Sequence, residues 1–276
     1  MIPATRKLGW ALAVLVTWAA AFGLHRLNDT PLEFNVDGCD VVTERQRIDI
    51  KSLRVPAGVE QPALLKLLNA YIRKSREEQG DWLLRGHISV EAAKALEQRL
   101  AQAPPPRLLR VNSYGGDERA AILIAEQIAK HRLPVVVDGV CGSACANYLL
   151  PAAPGVTVDG IVLMHGSPAG CQAQLGTFGA IEKLGWRAAL LLRKAAQRQL
   201  DFEERHPRFK ALVELSVPPN RSDPSGARHV WRFVPARELT AAHPGLTMGA
   251  SHAEVETAFR ALLQANPVLS DAYFPK

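Results

Sequence analysis

The sequence predicts an α/β fold built on a parallel sheet, and three observations carry that expectation. Short β-branched runs bounded by Pro or Gly, such as Leu133-Pro134-Val135-Val136-Val137, read as buried strands. Ahead of that run, from Glu118 to His131, the residues Ile122, Ala125, Ile128 and Ala129 recur at helical spacing. After it, Val140-Cys141-Gly142-Ser143-Ala144-Cys145-Ala146 holds a serine among tiny neighbours where strand gives way to helix. A hydroxyl on such a bend projects from the backbone. The helix N-terminus behind it offers free N–H groups and a field that favours negative charge. Taken alone, the stretch reads as a small-residue turn where backbone packs on backbone; its flanks change that reading.

The first segment in the chain differs from the rest. Arg6-Lys7 precede an apolar run from Leu8 to Leu24, with no charge until Arg26. Its length sits at the lower edge of a membrane span and above a typical signal-peptide core. It shows no polar face, so an amphipathic buried helix does not fit. The basic pair places the N-terminus in the cytoplasm and the remainder outside. Residues 1–27 are therefore expected to be a signal anchor that meets the membrane through 8–24. That gives a single-pass protein of a bacterial-type inner membrane with a periplasmic C-terminal domain. Cleavage near Ala19-Ala20-Ala21, releasing the protein to the periplasm, is the alternative.

Residues 28–79 read as a polar connector followed by an amphipathic helix over Gln61 to Gln79, with Leu64, Leu65, Leu68, Tyr71 and Ile72 on one face. Residues 80–276 form the main domain. A hydrophobic content of 47% and a charged content of 22% are those of an ordinary globular chain. The formal charge of +6 and pI near 9.3 raise nucleic acid as a partner. No basic patch interleaved with aromatics is present, and an extracytoplasmic domain would not meet nucleic acid, so none is expected. Attraction to anionic lipid head groups accounts for the charge as well.

Within the main domain, Val90 to Gln102 reads as a helix ended by Pro104-Pro105-Pro106. Arg107 to Asn112 reads as a strand and Ser113-Tyr114-Gly115-Gly116-Asp117 as a turn. The glycine pair there lets backbone N–H groups approach a ligand oxygen with no Cβ in the way. Ala146 to Leu150 continues the serine turn as a helix until Pro151. Val156 to Met164 is another apolar run that delivers His165 at its end. The interval from Ser143 to His165 holds one helix and one return strand. Both groups can then meet at the carboxyl edge of a parallel sheet, where open α/β sheets bind ligands. Leu184 to Phe209 reads as one long charged helix, with Arg187, Arg193, Lys194, Arg198 and Arg205.

The order Asn112-Ser113-Tyr114-Gly115-Gly116, then Cys141-Gly142-Ser143-Ala144-Cys145, then His165, resembles the Clp protease proteolytic subunit (ClpP) of the ClpP/crotonase superfamily. More narrowly, it resembles the extracytoplasmic ClpP-like proteins that carry a Ser-Ala-Cys motif. The similarity runs from about Trp82 to Leu246. Leu83-Leu84-Arg85-Gly86-His87-Ile88 matches the family's first strand, and Phe233-Val234-Pro235-Ala236-Arg237-Glu238-Leu239 with Gly245-Leu246 its late motif. The resemblance implies a spiral of ββα units around a parallel sheet and acyl transfer on peptides or proteins. It also implies oligomer contacts through the helix 184–209.

On that plan Ser143 is the nucleophile, His165 the general base and acid, and the N–H groups of Gly116 and Ala144 hold the oxyanion. Such donors typically contribute about 3 kcal/mol each. The family's acid falls at Ala227 when the chains are aligned on Phe233, and no carboxylate matches. Asp223 is the nearest acid, with Glu214 and Asp201 further away. Either one of these steadies the imidazole, a Ser-His dyad operates, or the site is slow or silent. Without the acid, an inactive scaffold keeps the fold, and a crotonase-type thioester enzyme would need coenzyme A that an exported location withholds. No cofactor is expected. Four cysteines (39, 141, 145 and 171) suit disulfides outside the cytoplasm, with Cys171 expected to pair with Cys145 or Cys141. A zinc site from Cys141, Cys145, Cys171 and His165 is the competing reading, but the spacing follows no short-range zinc pattern, so no metal is expected. His87, after Gly86, can also approach the site.

Overall fold

Among the described residues, strand and helix alternate regularly from Trp82 onward. The computed structural model describes residues 32–35, 40–43, 80–164, 166–213, 215 and 232–265. Strands β1 (Leu32–Asn35) and β2 (Asp40–Thr43) form an antiparallel pair of their own. Strands β3 (Trp82–Ile88), β4 (Leu109–Gly116) and β5 (Val135–Gly142) lie side by side in parallel. The first half of β5 pairs with β6 (Val156–Val158), which in turn pairs with β9 (Leu246–Met248). The second half pairs with β7 (Ile161–Met164), on which β8 (Arg232–Phe233) closes antiparallel. The product is a seven-stranded, mostly parallel mixed sheet in an α/β fold.

Helix α1 (Val90–Leu100) follows β3, and α2 (Glu118–His131) follows β4. Each starts on a side-chain cap that satisfies an N–H the helix cannot pair internally. Ser89 Oγ accepts from Ala92 N at 3.3 Å, and Asp117 Oδ1 from Ala120 N at 2.7 Å. Leu96, Ile124 and Ile128 are fully buried against Leu109, Val111 and Val137 of the sheet. Beyond β7 come α3 (Pro168–Leu184) and α4 (Trp186–Arg205), then the shorter α5 (Arg208–Val213), α6 (Ala236–Ala242) and finally α7 (His252–Ala265).

Several expectations are corrected. The turn residues Ser113 to Gly116 belong to β4, because Gly115 and Gly116 still pair with His87 and Ile88 at the end of β3. The run 156–164 is two strands, broken where Asp159 and Gly160 both donate their N–H to Val137 O. The long helix expected over 184–209 begins after Gly185, whose φ of 80° breaks the chain between α3 and α4. It ends at Arg205. Pro151 does not stop its helix; the helical turn runs on through a three-residue continuation, Leu150–Ala152, and ends at Ala153, whose ψ of 139° is extended. Among the described residues no helix is long and apolar enough to cross a membrane; the segment 8–24 and the helix expected over 61–79 lie outside them.

Candidate active site

Strand β5 reaches the site through a slip in register. Val111 pairs with Val137, but the next pairing joins Ser113 to Cys141, so β5 bulges against Asn112. The buried Asn112 side chain spans the gap, its Oδ1 accepting from Val140 N at 3.1 Å. A Cβ at Gly139 would lie 2.5 Å from that carboxamide, so glycine is needed where the strand wraps it. The bulge re-aims the end of β5, and Ser143 is the first residue past it.

Ser143 has φ of 53°, a left-handed conformation that a non-glycine residue adopts at a cost of about 1 kcal/mol or more. Its N–H donates to Leu163 O of β7 at 3.1 Å, and its carbonyl accepts from Asn147 N at 2.9 Å. The serine thus ends the strand with one backbone group and opens a helical turn with the other. That turn, Cys145–Leu149, is π-helical and fully buried, while Ser143 itself is half-exposed. The elbow expected from the sequence is present.

The glycine turn lies directly on it. A Cβ built on Gly115, whose φ is 100°, would sit 2.7 Å from Ser143 Cβ, 2.7 Å from Gly142 O and 2.8 Å from Ala144 N. Only a residue without a side chain lets β4 come this close. Gly116 is as tightly held on its other side, where a Cβ would lie 2.7 Å from His87 Cε1. His87 is therefore beside the turn, as the sequence allowed. Ser113 fixes the turn from within: its Oγ accepts from Gly115 N at 3.0 Å and donates to Gly86 O.

Cys141 and Cys145 are disulfide-bonded to each other across the elbow, with Cα atoms 5.3 Å apart. Cys171 is also disulfide-bonded, so the expected bridge from Cys171 to the elbow is wrong. The chain reverses through Ser143 into a helical turn, which brings positions 141 and 145 onto one side. With all three sulfurs committed, the zinc reading loses its thiolates. Among the described residues no cluster of three or more His, Cys, Asp or Glu is placed to hold a metal.

His165, Asp223 and Glu214 lie outside the described residues. The chain on either side of position 165 is described. Met164 ends β7, and Ser167 caps α3, its Oγ accepting from Gly170 N at 3.2 Å. Asp201 is exposed on α4, where it accepts from Gln197 at 2.8 Å.

A buried polar layer beneath the elbow was not read from the sequence. Glu118, the first residue of α2, is 2% exposed; its Oε2 accepts from Arg198 Nε at 3.1 Å and Nη2 at 2.7 Å. Burial pushes the Glu118 carboxyl up to about 7, against the opposing pull of the Arg198 guanidinium. Its Oε1 and the Tyr148 hydroxyl are buried without a well-formed hydrogen bond, close enough to perturb each other's ionisation. Burial likewise holds Tyr114 and Tyr148 firmly protonated. Tyr148 packs on Phe202 of α4 and Phe209 of α5, with centroids 5.3 and 5.5 Å away. The acidic pair Asp117-Glu118 at the head of a helix was the available signal, since one such residue is explained by the cap and the second is not.

Fold and elbow together define an α/β protein with a left-handed serine at a strand-to-helix turn, at the carboxyl end of a central parallel strand. No protein-family model and no curated protein matches this chain.

Proposed function

We propose that the chain is a serine hydrolase on the ClpP-like plan, a peptidase acting on peptides or proteins outside the cytoplasm. The observation that carries this reading is the left-handed Ser143 with Gly115 packed against its Cβ and against Ala144 N. A strained serine, half-exposed beside a glycine turn, suits a hydroxyl that must attack a carbonyl next to backbone donors. Leu163, which accepts from Ser143 N, is two residues before His165.

In the proposed reaction Ser143 Oγ attacks the substrate carbonyl carbon while His165 takes the hydroxyl proton. The N–H groups of Gly116 and Ala144 stabilise the oxyanion. The C–N bond then breaks, the amine leaves with the proton from His165, and water releases the acyl group from Ser143 by the same route. Asp223 is the proposed support for the imidazole; a Ser-His dyad is the version without it. Residues 8–24 anchor the protein in the membrane on this reading. A reporter fused after residue 30 should mark the outside, and a trimmed soluble product would replace the anchor with a cleaved signal.

A fluorophosphonate probe tests the chemistry, because its phosphorus is attacked readily by a serine activated as a nucleophile and slowly by an ordinary one. Labelling that is lost in Ser143→Ala supports a hydrolase. The second reading, an oligomeric scaffold, is favoured by the α3–α4 hairpin, where Phe178 is 87% and Trp186 68% exposed. Beside them a cleft of about 220 Å³ is lined by Ala180, Ile181, Ala189 and Leu190. Assembly that survives Ser143→Ala but is lost in Phe178→Asp, measured by light scattering, supports association through this hairpin.

A further inference from the structure

Two consecutive residues of α4 grip the first turns of two other helices. Arg198 donates twice to Glu118 Oε2 at the head of α2. Gln199, 2% exposed, donates through Nε2 to Ser167 Oγ at 3.2 Å and accepts through Oε1 from Ala169 N at 3.0 Å, both in the cap of α3. The Ala169 N–H can only donate, so the carboxamide oxygen must face it and the orientation of Gln199 is fixed. One turn further along α4, Phe202 meets Tyr148 edge-on in the π-helical turn that continues from Ser143. A single helix face therefore touches the element following the glycine turn, the element following β7, and the π-helical turn that continues from the elbow.

Fold stability alone is a poor reason for this arrangement. A buried ion pair seldom outperforms apolar residues of the same volume, because both charges must leave water. A buried glutamine with both ends engaged costs rotamer freedom that a methionine would cost too, yet it adds direction. We propose that Arg198 and Gln199 are positioning residues, a brace that sets the glycine turn and the α3 cap against the Ser143 elbow. The proposal rests on the hydrolase reading for its consequence in rate, and on the hydrogen bonds alone for its consequence in local order.

The test uses the full chain with Gln199→Met, Gln199→Glu, and the paired apolar replacement Glu118→Leu/Arg198→Met. Readouts are the second-order rate of fluorophosphonate labelling, the thermal midpoint, and amide exchange over 113–120 and 166–171. Misplacing reacting groups by about 1 Å costs up to about a hundredfold in rate. Gln199→Met and the paired variant should label at least about tenfold more slowly with midpoints near the wild type. Gln199→Glu, whose carboxylate still accepts from Ala169 N, should recover most of the rate. Folded variants that label at the wild-type rate overturn the proposal. Should Gln199→Met fail to fold, Ser167→Ala, which removes only one hydroxyl, takes its place. If the wild type itself does not label, the hydrolase reading fails and exchange decides. Faster exchange in 166–171 for the Gln199 variant and in 113–120 for the paired variant sustains the brace; unchanged exchange ends it.

Discussion

Replacing Gly115 with alanine perturbs the elbow with a single methyl group. That methyl would lie 2.7 Å from Gly142 O, 2.7 Å from Ser143 Cβ and 2.8 Å from Ala144 N. None of the three is the free end of a flexible side chain, so relief requires moving β4 or the elbow itself. Overpacking of this kind costs about 1–3 kcal/mol. The φ of 100° adds about 1–2 kcal/mol for any residue with a Cβ. A total near 3 kcal/mol corresponds to a thermal midpoint about 10 °C lower for a chain of this size. Gly86→Ala is the matched control: its φ is 83°, but a Cβ there meets nothing within 4 Å. It should cost only about 1 kcal/mol. Thermal unfolding and fluorophosphonate labelling, run on both variants, separate strain from crowding. Gly115→Ala should lose labelling by about a hundredfold or more at a temperature where it is folded, while Gly86→Ala labels nearly as the wild type does. Equal labelling of wild type and Gly115→Ala would refute the proposal that the glycine turn shapes a reactive Ser143.

Glu118 should impose a pH dependence on stability. Its carboxyl is raised to about 7, so between about 4.5 and 7 the native state holds a proton that the unfolded chain has released. Stability therefore falls as pH rises through that window, by an amount on the order of 3 kcal/mol. Denaturant midpoints at pH 5 and 8 should show this fall in the wild type relative to Glu118→Gln. His206 and His243 act in the opposite sense, since burial lowers both and costs stability as pH drops below about 6.5, but their effect cancels in that comparison. The Cys141–Cys145 bridge closes a loop over a sequence separation of 4, for which chain entropy gives about 2 kcal/mol. Cys141→Ala/Cys145→Ala should lower unfolding stability by about that amount and slow labelling; an unchanged rate would show that the bridge does not shape the elbow.

What was legible in the sequence was local. Helix α2 has the bounds its periodicity predicted, because Asp117 caps it and its apolar face is regular. The serine elbow was legible because tiny residues between a β-branched run and a helix leave few conformations. The extension of β4 through Ser113 to Gly116 was not, since its turn-forming residues are held extended by pairing with β3. Asp159-Gly160 divides an uninterrupted-looking apolar run through two hydrogen bonds to Val137, contacts no window of local sequence contains. Arg198 read as part of a charged helix, and Gln199 beside it carried no signal of its own. Their partners, Glu118, Ser167 and Ala169, stand 30 to 80 residues away in the chain.

Labelling of the full-length protein by a fluorophosphonate, followed by mapping of the modified residue, bears most directly on the central claim. A hydrolase built on this elbow should carry one adduct, on Ser143, that disappears in both Ser143→Ala and His165→Ala. A folded wild-type protein that takes up no probe, or carries it on another residue, would contradict the account.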